Sequence, residues 1–151
     1  MTVVVDTSVV LAFYLPAEPY KAQALALLAA YAAGRVRIAT PTLTIYEILN
    51  VVARCARGVK AGQTMSLEQA AAVRMAVERL ALEEHPILPL AERVLEIAVQ
   101  HGRSAYDASY LALAEHLGTV MITADHRLFN AVHDAFPDVR LLGANNEDLT
   151  S

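Results

Sequence analysis

A single cysteine, Cys55, is all that the 151-residue chain contains. This excludes an internal disulfide framework and fits a reducing compartment. Long hydrophobic runs are also missing. Apolar residues make up 56% of the composition, but much of that is alanine spread through polar, periodic segments. No stretch approaches the roughly 20 uninterrupted apolar residues of a membrane-spanning helix. Asp6 interrupts the first apolar run almost at once, and no basic n-region or cleavage site accompanies it, so no secretory signal is expected. The expectation is a soluble, cytoplasmic chain with no membrane partner. An overall basic field is absent too: the formal net charge is -4 and the pI about 5.7, which gathers no nucleic acid by itself. Acids that share a metal ion would count as negative here while being neutralised in the working protein. There is no repeat, low-complexity tract or long linker, and the length predicts a single domain over residues 1–151 with a real core.

Positive charge is carried by ten arginines against two lysines. Part of it is local, in "ARCARGVK" at 53–60. Arg54, Arg57 and Lys60 are therefore candidate contacts for a nucleic-acid backbone, because arginine grips phosphate with two parallel bonds. The alternative is a solvated helix end, where cations suit the C-terminal dipole.

Apolar runs and helical periodicities alternate along the chain. "TVVV" reads as a buried strand, followed by helical "SVVLAFYL". "EPYKAQALALLAAYAAG" reads as a helix closed by Gly34. "RVRIAT" alternates like a strand, and Pro41 is expected to open the next helix, "PTLTIYEILNVVARCARG". "SLEQAAAVRMAVERLALEE" starts with a Ser66–Gln69 capping box. "HPILPL" is a short strand candidate weakened by its prolines. Two helices follow, each closed by glycine, then the strand "TVMIT", the helix "DHRLFNAVHDAF" and a last strand, "DVRLL". Strands separated by helices predict a mainly parallel sheet in a three-layer α/β/α sandwich. Ligands of such sheets bind beyond the carboxyl ends of the strands, where strand order reverses. Asp6 ends "TVVV" and Asp125 follows "TVMITA", so both lie at that edge and converge if their strands are neighbours.

Two further acids sit among apolar neighbours on predicted helices: Glu47 in "LTIYEILNVV" and Asp107 in "SAYDASYLALA". A carboxylate buried alone is very costly, so it is paired, protonated or metal-bound. Each acid has a plainer explanation. Asp6 and Asp125 suit helix N-caps, Glu47 could reach Arg54, and Asp107 could pair with Arg103. As a set they suit Mg2+ or Mn2+, hard cations that prefer oxygen ligands. Two such ions about 3.5 to 4 Å apart stabilise the attacking and leaving oxygens of phosphodiester hydrolysis.

The segments "VVVDTSVV", "PTLTIYEILNVVAR", "SAYDASYLALAEHLG" and "MITADHRL" resemble, in order and spacing, the four acidic motifs of the PIN domain. The closest resemblance is to VapC-type toxins of toxin–antitoxin pairs, and it runs from Thr2 to about Leu142. It implies a metal-dependent ribonuclease with Asp6, Glu47, Asp107 and Asp125 as catalytic residues around Mg2+ or Mn2+. It further implies homodimers and a cognate antitoxin that inserts a segment near the site. Ser8 and Thr123 match positions where the family uses hydroxyls to orient the acids. The insert "GVKAGQTMSLEQ" is somewhat long for the family and bears on target recognition.

Cys55 and the aromatics Phe13, Tyr14, Tyr31, Tyr46, Tyr106 and Tyr110 are expected mostly in the core, although Tyr46 and Tyr106, each preceding a candidate ligand, could line the site. His126 is expected at the surface of its helix, while His101 and His116 suit helix C-termini. An aspartyl-phosphate enzyme would need a second acid two residues after Asp6 or a well-placed lysine. Position 8 is serine, and neither Lys21 nor Lys60 fits. No Gly-x-x-x-x-Gly-Lys phosphate loop occurs either. A catalytically inactive PIN-like scaffold that binds protein or RNA remains as the alternative, although it would have little reason to keep four acids.

Overall fold

In the computed structural model, residues 1–16, 18–60 and 63–144 are described. Residues 61 and 62 of the "GVKAGQTMSLEQ" insert and the last seven residues of the expected domain, 145–151, lie outside them. The elements are β1 (Thr2–Val5), α1 (Thr7–Tyr14), α2 (Lys21–Ala32), β2 (Arg37–Pro41), α3 (Thr44–Ala56), α4 (Leu67–Leu80), β3 (Glu83–His85), α5 (Ala91–His101), α6 (Ala105–Leu117), β4 (Met121–Thr123), α7 (His126–Val132) and β5 (Val139–Leu141). The five strands form one sheet in the order β3-β2-β1-β4-β5, and all four pairings are parallel. The chain winds outward from β1 to β3, then restarts at β4 on the other side. The order therefore reverses between β1 and β4, which pair Val4 with Met121 and Val5 with Ile122.

The alternation of side chains along each strand builds the layers. Val3, Val5, Ile38 and Ile122 face one core with Leu27, Ile48, Val52 and Val77 of α2, α3 and α4. Val4, Ala39, Met121 and Val139 face the other, with Ile97, Leu111, Leu113 and Leu128 of α5, α6 and α7. A Val or Ile side chain removed fully from water stabilises by roughly 1.5–3 kcal/mol. An ionisable group on these central strands survives only at their ends.

Local signals work where backbone geometry is decided locally. Ser66 and Gln69 complete their capping box: the Ser66 amide donates to Gln69 Oε1 at 2.8 Å, and the Gln69 amide to Ser66 Oγ at 3.1 Å. Two expectations need correction. Pro41 opens no helix but closes β2, and α3 begins at Thr44. Parallel pairing with β3 keeps the chain extended here, through Pro41 opposite His85 and a Thr42 amide bond to the His85 carbonyl. The edge strand itself is not "HPILPL" but the preceding Glu83–His85, and Leu88–Leu90 is a short 3-10 turn. Pro86 and Pro89 cannot donate to a ladder, whereas charged residues are at home on a sheet edge.

Candidate active site

Asp6 follows β1 directly and sits in the reversal point between β1 and β4. Its amide still donates to the Ile122 carbonyl at 3.3 Å, which ties it to β4. Its carboxylate caps α1 by accepting the Val9 amide on Oδ1 at 3.2 Å. Ser8 Oγ donates to the same oxygen and Thr123 Oγ1 to Oδ2, each at 2.5 Å. Those hydroxyls are fixed in turn: Ser8 Oγ accepts the Ala124 amide at 2.8 Å, and Thr123 Oγ1 accepts the Asp125 amide at 3.0 Å. The two strand ends are thereby stitched around one carboxylate that is only 5% exposed. Burial pushes the Asp6 carboxyl up to about 6, against the opposing bonds from Ser8, Thr123 and Val9, and the Asp125 charge adds to the rise.

Asp125 caps α7, accepting the Arg127 and Leu128 amides on Oδ1 at 2.8 and 3.2 Å. Capping and membership of an acidic site are compatible for both aspartates, since the cap bonds fall on a single oxygen in each.

Glu47 lies in the first turn of α3. Its expected partner Arg54 plays no part. Tyr110 of α6 donates its hydroxyl to Glu47 Oε1 at 2.6 Å, and Thr7 Oγ1 donates to the same atom at 3.1 Å. The single phenol proton is committed to Glu47, so Thr44 Oγ1, 2.9 Å away, donates to the phenol oxygen. Thr7 Oγ1 also lies 2.9 Å from that oxygen. Tyr110 is 2% exposed, and burial first, then the Glu47 charge, raises its pKa far above the usual phenol range. The core placement expected for Tyr110 is right, but its role as the donor that aims Glu47 has no signal in the sequence. Nor do those of Thr7 and Thr44.

Asp107 occupies the first turn of α6, whose N-cap Ser104 accepts the Asp107 amide at 3.1 Å. Burial raises its pKa, Arg103 opposes the rise, and the charges of Glu47 and Asp125 add to it. The acids therefore share one field: Asp6 feels Asp125, and Asp107 feels both Glu47 and Asp125. Among the described residues none of the four forms an ion pair. Arg103 acts on Asp107 through its charge without closing an ion pair, and an all-oxygen donor set is what a hard divalent cation takes. Among the described residues, no three His, Cys, Asp or Glu side chains form a ready-made metal cage. Mg2+ needs none, because it keeps several waters and one or two direct carboxylates suffice.

The basic segment lies further along α3. Arg54 and Arg57 are exposed and stand about 10 and 15 Å beyond Glu47 at 1.5 Å of rise per residue. Lys60 is held by Glu18 at 2.9 Å, and Gln63 donates to the same Glu18 oxygen at 2.6 Å. Tyr46 and Tyr106 are not core residues. Both are exposed and line a cleft with Thr7, Glu47, Asn50 and Val51. Cys55 is buried, and His126 is a surface residue in contact with Tyr20.

Residues 3–134 match the PIN domain. The chain is 39% identical to ribonuclease VapC9 of Mycobacterium tuberculosis over 129 residues, covering 83% of this chain and 87% of that one. It is 31% identical to ribonuclease VapC3 of Pyrobaculum aerophilum over 133 residues, covering 85% of this chain and 92% of that one. The crystal structure of PAE2754 from Pyrobaculum aerophilum superposes with a TM-score of 0.69 at 27% identity, covering 99% of this chain and 98% of that one. Its parallel sheet, the order of its acidic segments and these likenesses agree on one assignment: the chain belongs to the PIN domain family, within its VapC-type branch.

Proposed function

We propose that this protein is a Mg2+- or Mn2+-dependent endoribonuclease, the toxin of a type II toxin–antitoxin pair. The carrying observation is the convergence of Asp6 and Asp125 at the β1–β4 reversal, within one field with Glu47 and Asp107 and, among the described residues, with no ion pair to any of them. Asp6, Glu47, Asp107 and Asp125 would hold the cation. When bound, it supplies positive charge for the phosphate and Lewis acidity for the attacking water. The chain's own contribution is orientation. Ser8 and Thr123 fix both oxygens of Asp6, Tyr110 and Thr7 aim Glu47, and the first turns of α6 and α7 hold Asp107 and Asp125 at helix N-termini, where negative charge is favoured.

The partners are RNA, a cognate antitoxin and a second copy of the chain. The VapC likeness supports this reading, in which the protein acts in the cytoplasm as a single PIN-like domain. No helix among the described residues is long and apolar enough to cross a membrane. Among the described residues Arg54 and Arg57 form no ion pair, which suits them to backbone phosphates.

The test is RNA cleavage in Mg2+ and Mn2+ by the unsubstituted chain and by Asp6→Asn, Asp107→Asn and Asp125→Asn. An amide keeps the shape of each acid and removes its charge. All three variants should lose cleavage while circular dichroism stays native. Full activity in any two of them would overturn the site.

A further inference from the structure

Two large rings stand in the open beside Glu47. Tyr46 is 74% exposed and Tyr106 60%. Each directly precedes one of the acids, in the first turns of α3 and α6. Both line one cleft of about 370 Å³ whose other lining residues are Thr7, Glu47, Asn50 and Val51. The chain keeps its remaining tyrosines at least partly covered, so packing does not account for these two. The two rings are carried by different helices and meet at this one cleft.

We infer that Tyr46 and Tyr106 form a stacking platform for an unpaired nucleobase next to the scissile phosphate. The inference rests on the ribonuclease reading of the same site.

The charge balance favours a nucleobase. The chain carries a net charge of -4, and its site is built of acids, so a polyanion gains little from long-range attraction here. Stacking on a tyrosine face is nearly indifferent to that field and works for every base. In a duplex both faces of each base are covered by neighbours, so a base must be extruded or already unpaired to reach the ring. The cleft has the size of an ordinary small-ligand site. Asn50 adds an amide that can donate to and accept from a base edge.

The experiment is a fluorescence titration with short RNAs carrying 2-aminopurine, as an unstructured strand and as its fully paired duplex. It uses an Asp107→Asn background that blocks cleavage, and adds Tyr46→Ala, Tyr106→Ala and the corresponding Phe variants. The single strand should bind tighter than the duplex, with quenching of the fluorophore. Each Ala variant should lose roughly tenfold in affinity and most of the quenching, the lower part of what stacking of one base is worth. The Phe variants should stay close to the parent. Unchanged binding in both Ala variants, equal binding of strand and duplex, or Phe as harmful as Ala would each overturn the platform. So would Ala variants that turn monomeric in light scattering with undiminished RNA affinity, since the tyrosines would then belong to a subunit interface. Cleavage by the chain without the Asp107 substitution is scored separately. Its absence defeats the ribonuclease reading, whereas cleavage with unaltered binding in the Ala variants defeats the platform alone.

Discussion

Asp6 and Asp125 occupy the same kind of place in the sequence, an aspartate just past a hydrophobic strand and just before a helix, yet they end in different physical states. Asp6 is nearly sealed from solvent, with three bonds to its carboxylate and a raised pKa. Asp125 is exposed, bonded to two amides of its own helix. The difference comes from what surrounds each strand end. Asp6 lies between the ends of two central strands, whose hydroxyls close over it, while Asp125 stands one step further out on the loop into α7. Burial makes the first a reservoir of unfavourable charge and leaves the second a helix cap that also contributes to the field of the site.

The largest expected effect separates the two through stability without metal. Asp6 holds its proton more tightly in the folded chain than in the unfolded one. Its contribution is therefore greatest below pH 4 and is lost as the pH rises toward about 6. The change in pKa corresponds to about 3 kcal/mol. In EDTA at neutral pH, Asp6→Asn should consequently melt at or above the parent, whereas Asp125→Asn should be nearly neutral because asparagine caps as well as aspartate. Thermal melts at several pH values read this directly. A melting point for Asp6→Asn well below the parent at pH 7 would mean that the Asp6 charge stabilises the fold.

Metal should invert that order. A native-state ligand at about 100 times its dissociation constant adds roughly 2.7 kcal/mol, a rise of about 5–10 °C for a chain of this size. The parent should gain this from Mn2+ and Asp6→Asn much less. Equal gains in both would reduce Asp6 to a cap.

On the Glu47 side, Tyr110→Phe removes the 2.6 Å donor and leaves Thr44 without its acceptor. Loss of a buried partner costs about 1–3 kcal/mol. Because Tyr110 acts through Glu47, kcat for RNA cleavage should fall with KM nearly constant. Stability loss with unaltered kcat would make the tyrosine structural only.

The smallest effect concerns salt. Arg54→Ala and Arg57→Ala should each flatten the salt dependence of RNA binding, by roughly 0.7 log units per lost single-strand contact. Lys60→Ala should leave the slope nearly unchanged, because Glu18 already holds the ammonium. A slope change only in Lys60→Ala would reverse this ranking.

Much of this molecule was legible in its residues. The valines of β1 and the glycine-closed helices announced a layered parallel fold, and acids at strand ends or among apolar helix neighbours pointed to a candidate site. Misreadings arose where tertiary pairing outweighs local preference. Pro41 was drawn into β2 by His85, and Glu83–His85 became a strand although its residues are polar, because an edge position exposes them. Tyr110 looked like any core aromatic, since nothing in "DASYLALA" says that its hydroxyl reaches a glutamate more than sixty residues away in the chain.

Alternation, capping and the spacing of apolar residues act within a few residues, so they were enough to write the helices, most strands and the identity of the acids into the chain. Which strands are neighbours, whether Ser8 and Thr123 close over Asp6, and whether Lys60 is free or taken depend on groups that meet only when distant segments pack. The surrounding dielectric and the partner in reach then determine the charge state of each acid, and both exist only in the folded molecule.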